Sequence, residues 1–409
     1  MNTLEAIRIA VQSLWANKLR SVLTLLGVVI GISSVIAVVT FVNGINSYMA
    51  EKVFNLGADV FIISKMAPVI TNFDEYMEGL KRKDITMEDY RAIQEGCRYC
   101  SSIGAVEGNG NGTVKREMQS MSGVFVRGIT PSMTAILNID LGNGRMLNDT
   151  DENTRSNVAV IGTDLVDNLF PDTDPIGKEL RLDGHTYQVV GVAKKQGTTL
   201  GQSRDNLILI PIGSYLKQYG VHSSITIFGK ANGIGNRLDA AMDDARVILR
   251  GLRHDMPGKP DSFEVETNAS LLGIWANLTG TFFIAMIGIA AISLVVGGIV
   301  IMNIMLVSVT ERTREIGIRK ALGARRKDVL MQFLIESATM ALIGGAVGVL
   351  LGIVVAKGVT ALIGMPSAIK LWAVAAGLLV SASVGIFFGV YPARRAATLD
   401  PIAALRFEL

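Results

Sequence analysis

Charged residues are scarce in this 409-residue sequence. Only 18% of the chain is Asp, Glu, Lys or Arg, whereas a soluble domain carries about 25%. With 49% hydrophobic residues, the chain is too apolar for intrinsic disorder. A net charge of +3 is too small to indicate a nucleic-acid-binding protein. The deficit therefore predicts a membrane protein that contacts lipid and has no nucleic-acid partner.

The deficit comes from four stretches that contain no Asp, Glu, Lys, Arg or His. The remaining 292 residues hold all 75 charged residues, or 26%, which is an ordinary soluble value. A transmembrane helix needs about 20 apolar residues, so each stretch predicts one such helix. The stretches are residues 21–50, 267–310, 337–356 and 371–393, with lengths of 30, 44, 20 and 23 residues.

Basic residues are distributed unequally among the short flanking segments. Thirteen Lys and Arg residues lie in segments 1–20, 311–336 and 394–409, against two in the loop 357–370. The positive-inside rule then predicts that both termini and segment 311–336 are cytoplasmic. Residues 51–266, with a net charge of −5, are predicted to be extracytoplasmic. A cleaved signal peptide is the alternative for the first stretch, but its apolar core would be only about 7–15 residues.

Two of the stretches are longer than the bilayer requires. A helix of 44 residues would measure about 66 Å, against a hydrocarbon core of about 30 Å. Polar residues gather near the end of 21–50 and the start of 267–310. We therefore expect the second span near 282–309 and a stalk of two helices outside the membrane. The alternative is that these polar ends are uncharged loop.

Small residues recur at every fourth position in three of the stretches. This spacing lets helix backbones approach closely, within one chain or between two. Ion and proton pathways usually need ionisable groups inside the membrane, so their absence from the four stretches argues against a secondary transporter. The predicted helix-packing residues are Gly27, Gly31, Gly344, Gly348, Gly352, Gly377, Gly385 and Gly389.

Residues 51–266 mix strand-like and helix-like segments. They predict an α+β domain, which we expect to form two lobes, the more β-rich one at 178–211. Asp183-Gly184 is a strong hairpin signal, and Thr86 with Asp89 resembles a helix N-cap. The predicted strands are 58–64, 124–128, 158–162, 207–211 and 224–228, with a hairpin over 179–192 and helices over 86–95 and 238–252.

Histidine and cysteine are nearly absent. The three histidines (His185, His222 and His254) have no metal-ligand spacing, and no catalytic constellation stands out, so we expect no metal site and no catalytic residue. Cys97 and Cys100 form a C-x-x-C, a spacing typical of a structural disulfide, a redox pair or half of a zinc site. Outside the cytoplasm we favour a structural disulfide, with free thiols as the alternative.

The densest run of charges directly follows the second stretch. It reads E-R-T-R-E-I-G-I-R-K-A-L-G-A over 311–324, and its alternation of charged and apolar residues would let one side dock on a partner. The alternative is a basic interfacial loop. Together with Q-F-L-I-E at 332–336, Y-P-A-R-R-A-A at 391–397, L-D-P-I-A-A-L-R at 399–406 and N-K-L-R-S-V-L-T-L-L-G at 17–27, this run resembles MacB/FtsX-type ABC transporter permeases. One span, a large domain and three further spans match that family as well.

The resemblance implies a permease that works as a pair of chains, either identical or different, with two ATPase subunits. Residues 51–266 would be a periplasmic core domain with porter-like and sabre-like lobes, moved by the stalk in a mechanotransmission cycle that drives efflux. A periplasmic adaptor and an outer-membrane exit duct are further expected partners. An amphipathic helix within 1–20 would lie along the inner membrane surface, with its apolar side formed by Leu4, Ile7, Val11, Leu14 and Trp15.

The resemblance also implies that the run after the second span is a coupling helix that docks on the ATPase. The residues expected to carry this coupling are Glu315, Ile316, Gly317, Arg319, Lys320, Leu322 and Gly323. The apolar members would fill a groove on the ATPase, and the charged members would fix the register.

The chain lacks the nucleotide-binding motif of an ATPase. No G-x-x-x-x-G-K-S/T occurs in the sequence, and that loop is what cradles the phosphates. We therefore expect no cofactor on this chain and ATP with Mg on a separate ATPase chain. An FtsX-like signal relay to cell-wall hydrolases and a Lol-type lipoprotein-release permease are the alternatives. The size of the external domain, 216 residues, favours transport.

Overall fold

The computed structural model describes residues 18–50, 56–70, 72–199, 201–220, 223–363 and 369–405. The amphipathic helix expected between Leu4 and Trp15 lies outside the described residues, as do His222 and Arg406. The chain divides into two compact units. One combines Met1–Tyr48 with Ala276–Leu409, and the other is Met49–Trp275.

Helices occur in both units. In chain order the described residues form α1 (Lys18–Tyr48), α2 (Phe73–Lys81), α3 (Met87–Gly96), α4 (Met133–Ile136), α5 (Asp149–Asn153), α6 (Thr163–Leu169), α7 (Ile212–Tyr219), α8 (Asn236–Arg253), α9 (Asn268–Glu311), α10 (Thr313–Ala321), α11 (Arg326–Ile363), α12 (Leu371–Thr398) and α13 (Pro401–Leu405).

Strands occur in the second unit. In chain order they are β1 (Val60–Ser64), β2 (Cys100–Arg116), β3 (Gln119–Ile129), β4 (Leu141–Gly144), β5 (Val158–Ile161), β6 (Glu179–Leu182), β7 (His185–Ala193), β8 (Thr198–Thr199), β9 (Gln202–Ser203), β10 (Leu207–Pro211), β11 (Thr226–Ala231) and β12 (Glu264–Thr267).

Four helices are long and apolar enough to cross a membrane: α1, α9, α11 and α12. They cover the four charge-free stretches, so the prediction of four spans is confirmed. The polar start of the second stretch is helical rather than loop, because α9 continues over 44 residues. Helix α11 begins at Arg326, eleven residues before the stretch that predicted it. Charged residues such as Lys and Arg have good helix propensity, so the helix extends beyond its apolar part.

Glycine contacts bring α1 and α9 together. A Cβ atom built on Gly27 would lie 2.6 Å from the Cα atom of Gly297, and one built on Gly31 would lie 2.8 Å from Cγ of Leu294. Side chains of any size at these two glycines would separate the backbones. Gly297 was not among the predicted packing residues.

The other predicted glycines lie where α11 meets α1 and α12. Cβ atoms on Gly348 and Gly352 would lie 2.9 and 2.8 Å from backbone oxygens of α1. A Cβ atom on Gly385 of α12 would lie 2.7 Å from the backbone oxygen of Ser337 on α11. Gly344 faces Leu25 and Val28, Gly377 faces Ile36, and Gly389 faces the side chain of Ser337.

One mixed sheet organises the α+β unit. Its strands follow the order β12-β1-β11-β2-β3-β10-β5-β7-β4, and β6 pairs with both β2 and β7. The second pairing of β6 closes a ring that runs β2, β3, β10, β5, β7, β6 and back to β2. A sheet closed in this way encloses its own core of inward-facing side chains.

Three apolar clusters surround this sheet. The first fills the ring with residues such as Val126, Ile161 and Ile208. The second packs α3 and α8 against the open end of the sheet formed by β1, β11 and the start of β2. The third covers the outer face of β5 and β10 together with α4. Strand β2 contributes Val114 to the first cluster and Ile103 and Ala105 to the second, so it joins the two.

Local signals in the sequence locate several elements correctly. Thr86 and Asp89 form a capping box at the start of α3, in which the Thr86 N–H donates to Asp89 Oδ2 at 2.8 Å. Asp183 and Gly184 have φ values of 47° and 89°, so the hairpin of β6 and β7 turns where it was predicted. The five predicted strands and the helix over 238–252 are confirmed as β1, β3, β5, β10, β11 and α8.

Strand β2 was not predicted, although it has 17 residues. Its middle reads Gly-Asn-Gly-Asn-Gly over 108–112, which is typical of turns. The pairing with β3 shifts register between Asn109 and Thr113. A Cβ atom on Gly112 would collide with the side chain of Val126. Glycine is therefore required there by close packing rather than by a turn.

Candidate functional site

The run that resembles a coupling helix forms the short helix α10, and a tight turn joins α10 to α11. Arg312 separates α9 from α10, and α10 ends at Ala321. Gly323 has φ +97°, a backbone conformation that glycine adopts without strain. The side chain of Asp328 accepts a hydrogen bond from the Arg325 N–H at 3.1 Å and so satisfies a donor at the start of α11.

Polar contacts join α10 to α11. Arg312 Nη1 lies 3.3 Å from Glu336 Oε1, and Arg319 Nη1 donates to Gln332 Oε1 at 2.8 Å. Arg319 also pairs with Glu315, one turn earlier on its own helix. The two contacts run in opposite chain directions, as expected for helices that are antiparallel across a turn. They hold α10 against the first three turns of α11.

A lysine joins α10 to the end of α12. Lys320 Nζ donates to the backbone oxygens of Ala397 and Leu399 at 2.9 and 2.5 Å. Carbonyl groups at a helix C-terminus have no partner within the helix, and a cation there interacts favourably with the helix dipole. Burial, with a smaller contribution from the charge of Arg326, lowers the pKa of Lys320. Lys320 therefore caps α12.

Helix α10 also packs on α13. A Cβ atom on Gly317 would lie 2.8 Å from the Cβ of Ala404, so only glycine allows α13 this close. Ile316 is 5% exposed and belongs to the apolar core of the helical unit. Two of the expected coupling residues therefore face the protein's own core.

The outer side of α10 carries the exposed apolar residues. Leu322 is 84% exposed and Ile318 is 45% exposed. Ile402 of α13 is also largely exposed. The expectation that every apolar member fills a groove on a partner does not fit Ile316, because its side chain is already buried. Leu322 remains available to a partner, with Ile318 added to it.

The polar contacts of α10 include residues outside the predicted coupling set. Arg312, Gln332 and Glu336 complete the contacts of α10 with α11. The signal for two of them was present in the Q-F-L-I-E motif, because residues four positions apart lie on one side of a helix. The contact of Gly317 with α13 had no signal in the sequence, since it joins segments 87 residues apart.

The two cysteines are joined by a disulfide. Cys97 is the C-cap of α3, and Cys100 is the first residue of β2. The bond therefore links a helix to the strand that follows it. Within the described ranges, no group of three or more His, Cys, Asp or Glu side chains could hold a metal ion.

Two family profiles match this chain. The MacB-like periplasmic core domain matches residues 21–247, and the FtsX-like permease C-terminal domain matches residues 287–401. The first match covers more than half of the chain. The second covers α10, α11 and α12, which form the contacts described above.

Relatives match over nearly the whole chain. The uncharacterized ABC transporter permease YknZ of Bacillus subtilis is 33% identical over 412 residues, covering 100% of both chains. The macrolide export ATP-binding/permease protein MacB of Syntrophobacter fumaroxidans is 31% identical and covers 98% of this chain. The pyoverdine export ATP-binding/permease protein PvdT of Pseudomonas syringae pv. syringae is 34% identical and covers 99% of this chain. This chain spans 64% of that MacB protein and 59% of that PvdT protein.

Solved structures also align with part of the chain. The periplasmic region of MacB from Actinobacillus actinomycetemcomitans aligns with 56% of this chain and 97% of its own, with 14% identity and a TM-score of 0.45. The extracellular domain of the noncanonic ABC-type transporter YknZ from Gram-positive bacteria aligns with 51% of this chain and 100% of its own, with 17% identity and a TM-score of 0.40.

The profile matches and the full-length relative confirm the resemblance seen in the sequence motifs. Four membrane-crossing helices and a large extracytoplasmic α+β domain form the architecture, and the protein belongs to the cytoplasmic membrane. The chain is a member of the MacB/FtsX-type ABC transporter permease family.

Proposed function

We propose that this chain is the permease subunit of a MacB-like ABC transporter. It couples ATP hydrolysis by a separate ATPase subunit to movement of its extracytoplasmic domain and so drives export of a substrate from the outer face of the membrane. The observation that carries the proposal is the construction of α10. This helix is joined to two membrane helices by polar contacts and presents an exposed leucine, Leu322, at its end.

Helix α10 is suited to transmit motion because it is braced on both sides. Arg319 contacts α11 and Lys320 caps α12, so a displacement of α10 pulls on both helices. Cores are close-packed and transmit displacement rather than absorb it. In α11 the glycine contacts continue to α1. A push at Leu322 therefore reaches three membrane helices.

The site of work is proposed to be outside the membrane. The four charge-free stretches offer no ionisable group for a polar substrate, and their glycines bring the helices into direct contact. A helix of 44 residues measures about 66 Å and exceeds the hydrocarbon core of about 30 Å. Its excess length supports a stalk that carries motion to the extracytoplasmic domain.

The proposed complex contains two permease chains and two ATPase subunits, with ATP and Mg bound by the ATPase. Both termini and α10 are cytoplasmic, in agreement with the basic residues of those segments. A periplasmic adaptor and an exit duct complete the export route in an envelope with an outer membrane. Relatives named for macrolide and pyoverdine export support export as the direction.

The docking of α10 is tested by Leu322→Asp. A charge on this exposed side chain would have to be desolvated in an apolar groove. We expect the variant to insert normally and to lose the permease-stimulated ATP turnover of the ATPase that copurifies with the wild-type chain. The measurement is phosphate release in proteoliposomes of the full complex.

Two variants serve as controls. Leu322→Met keeps an apolar side chain of similar volume and should retain stimulation. Leu371→Asp places the same charge on another exposed leucine, 87% exposed at the start of α12, at the predicted outer end of that span. Stimulation that survives Leu322→Asp at the wild-type level contradicts the proposed docking.

A further inference from the structure

Glu336 is a buried carboxylate that the proposed docking does not use. It is 1% exposed and follows the first residue of α11 by ten positions, about 15 Å along the helix. An unpaired charge in such a place is strongly destabilising, and a paired one is at best marginally favourable. Its presence there requires a reason other than stability.

Among the described residues, a partner is found for one oxygen of Glu336. Oε1 lies 3.3 Å from Arg312 Nη1. Oε2 is fully buried and receives no hydrogen bond from any part of the chain that the structure describes. A buried acceptor without a donor costs about 1–3 kcal/mol, and more when it is charged. The carboxylate therefore has capacity for a second donor.

A second arginine lies on the same side of α10. Arg319 donates to Gln332, which is one helix turn before Glu336 on α11. The acceptor of Arg319 on α11 is a neutral amide, and Glu315 on its own helix also accepts a hydrogen bond from it. A hydrogen bond from guanidinium to carboxylate is roughly twice as strong as a neutral one.

The two arginines thus face two acceptors of unequal strength. In this structure Arg312 holds the carboxylate and Arg319 holds the amide. Because Glu336 lies one helix turn after Gln332, a displacement of α10 by about 6 Å along α11 would bring Arg319 within reach of Glu336 Oε2. The gain on one side offsets the loss of the Gln332 contact on the other. Two packings of similar free energy are what a switching element requires.

We propose that Glu336 is the positioning residue of the coupling helix: it seats α10 through Arg312 in this state and accepts Arg319 on its second oxygen when α10 shifts. This inference rests on the proposed function, because the shift is the displacement that the ATPase imposes. Glu336 touches neither nucleotide nor substrate and acts only through the two arginines.

Hydrogen exchange of the full chain in lipid nanodiscs tests, without the ATPase, whether Glu336 holds α10 in place. Glu336→Gln keeps the volume and one acceptor but removes the charge. We expect about tenfold faster exchange of the α10 amides, since coupling energies of this kind correspond to roughly 5–150-fold. The amides of residues 337–356 should keep their protection, which shows that the variant is folded. Unchanged exchange in α10 overturns the proposal.

A double-mutant cycle distinguishes a specific contact between Arg312 and Glu336 from a general destabilisation of α10. Arg312→Gln and Glu336→Gln should each accelerate exchange in α10, and the double variant should be no worse than either alone, because interacting residues are non-additive. Additive effects overturn the pairing. Lys327→Gln removes an exposed charge from the same helix and should leave the exchange of α10 unchanged.

The second state is tested by Gln332→Glu. This change gives Arg319 an ionic acceptor on α11, in addition to Glu315 on its own helix, and should hold α10 in the present state. Stimulated ATP turnover should therefore fall about tenfold, while α10 exchanges more slowly. If Glu336 only holds α10 in one position, turnover should stay equal or rise. That result overturns the proposal that Glu336 accepts Arg319 when α10 shifts. Failure of the proposed function itself is distinguishable, because the wild-type chain would then stimulate no ATPase.

Discussion

At the scale of single residues, Asp89 has one role that the sequence predicts and one that it does not. Its role in the capping box with Thr86 follows from local spacing. Its ion pair with Arg253, which is 3.1 Å away and 164 residues later, does not. Both side chains of this pair are buried, and Arg253 also donates to the backbone oxygen of Lys83. Nothing in either local segment indicates this partner, because the fold alone brings the two segments together.

Glu107 provides a residue-scale prediction on pH. Burial raises the pKa of this carboxyl to about 7, although hydrogen bonds from Gly108 and Ser223 lower it in part. Its unfolded value is about 4.3, so the folded state binds the proton more tightly. Its contribution to stability is therefore complete below about pH 4 and is lost as the pH rises to about 7.

Glu107→Gln removes this titration while keeping an acceptor for Ser223. We expect the melting temperature of the full chain to rise by about 2 °C or more at pH 8, and by less at pH 5, where most of the contribution of Glu107 remains. Melting curves in detergent at both pH values provide the measurement. An equal difference at pH 5 and pH 8 would show that the variant acts through packing and not through charge.

At the scale of elements, the hydrophobic pattern predicts the spans but not their neighbours. The four charge-free stretches and the strands with local turn signals correspond to α1, α9, α11, α12 and several strands. The long strand β2 was not predicted because its glycines resemble those of a turn. Of the contact between Gly27 and Gly297, only Gly27 was predicted. The residue spacing along one helix does not show which helix packs against it.

Helix α11 offers a matched pair of glycines for an element-scale prediction. A Cβ atom on Gly352 would lie 2.8 Å from the backbone oxygen of Ser33, whereas one on Gly358 meets nothing within 4 Å. Alanine has a better helix propensity than glycine by about 1 kcal/mol. Gly358→Ala should therefore be neutral or stabilising, and Gly352→Ala should destabilise because α1 must move away.

Thermal unfolding of the two variants in the same detergent checks the sign of each effect. The prediction is a lower melting temperature for Gly352→Ala than for the wild type and an equal or higher one for Gly358→Ala. If both substitutions raise the melting temperature, the close contact of α11 with α1 is not a determinant of stability.

At the scale of the whole molecule, the structure assigns some of the predicted coupling residues to contacts within the chain. The motif forms α10, and Leu322 is exposed as the proposed docking requires. Arg319 and Lys320 instead bind the protein's own helices. That difference depends on the ends of α11 and α12 lying beside α10, which a linear pattern does not contain. The charged residues therefore connect the helix to the membrane spans.

The proposed function requires that ATP binding at the ATPase moves the extracytoplasmic domain. Met118 lies fully exposed at the turn between β2 and β3, and the two native cysteines are bonded to each other. Met118→Cys therefore offers a single reactive thiol for a spin label. Two permease chains in one complex give one label-to-label distance.

Pulsed electron resonance on the reconstituted complex measures that distance directly, without nucleotide and with a non-hydrolysable ATP analogue. We expect a shift to a shorter distance with the analogue, and no shift when Leu322→Asp is also present. An unchanged distance distribution, in a complex that hydrolyses ATP at the stimulated rate, would contradict it.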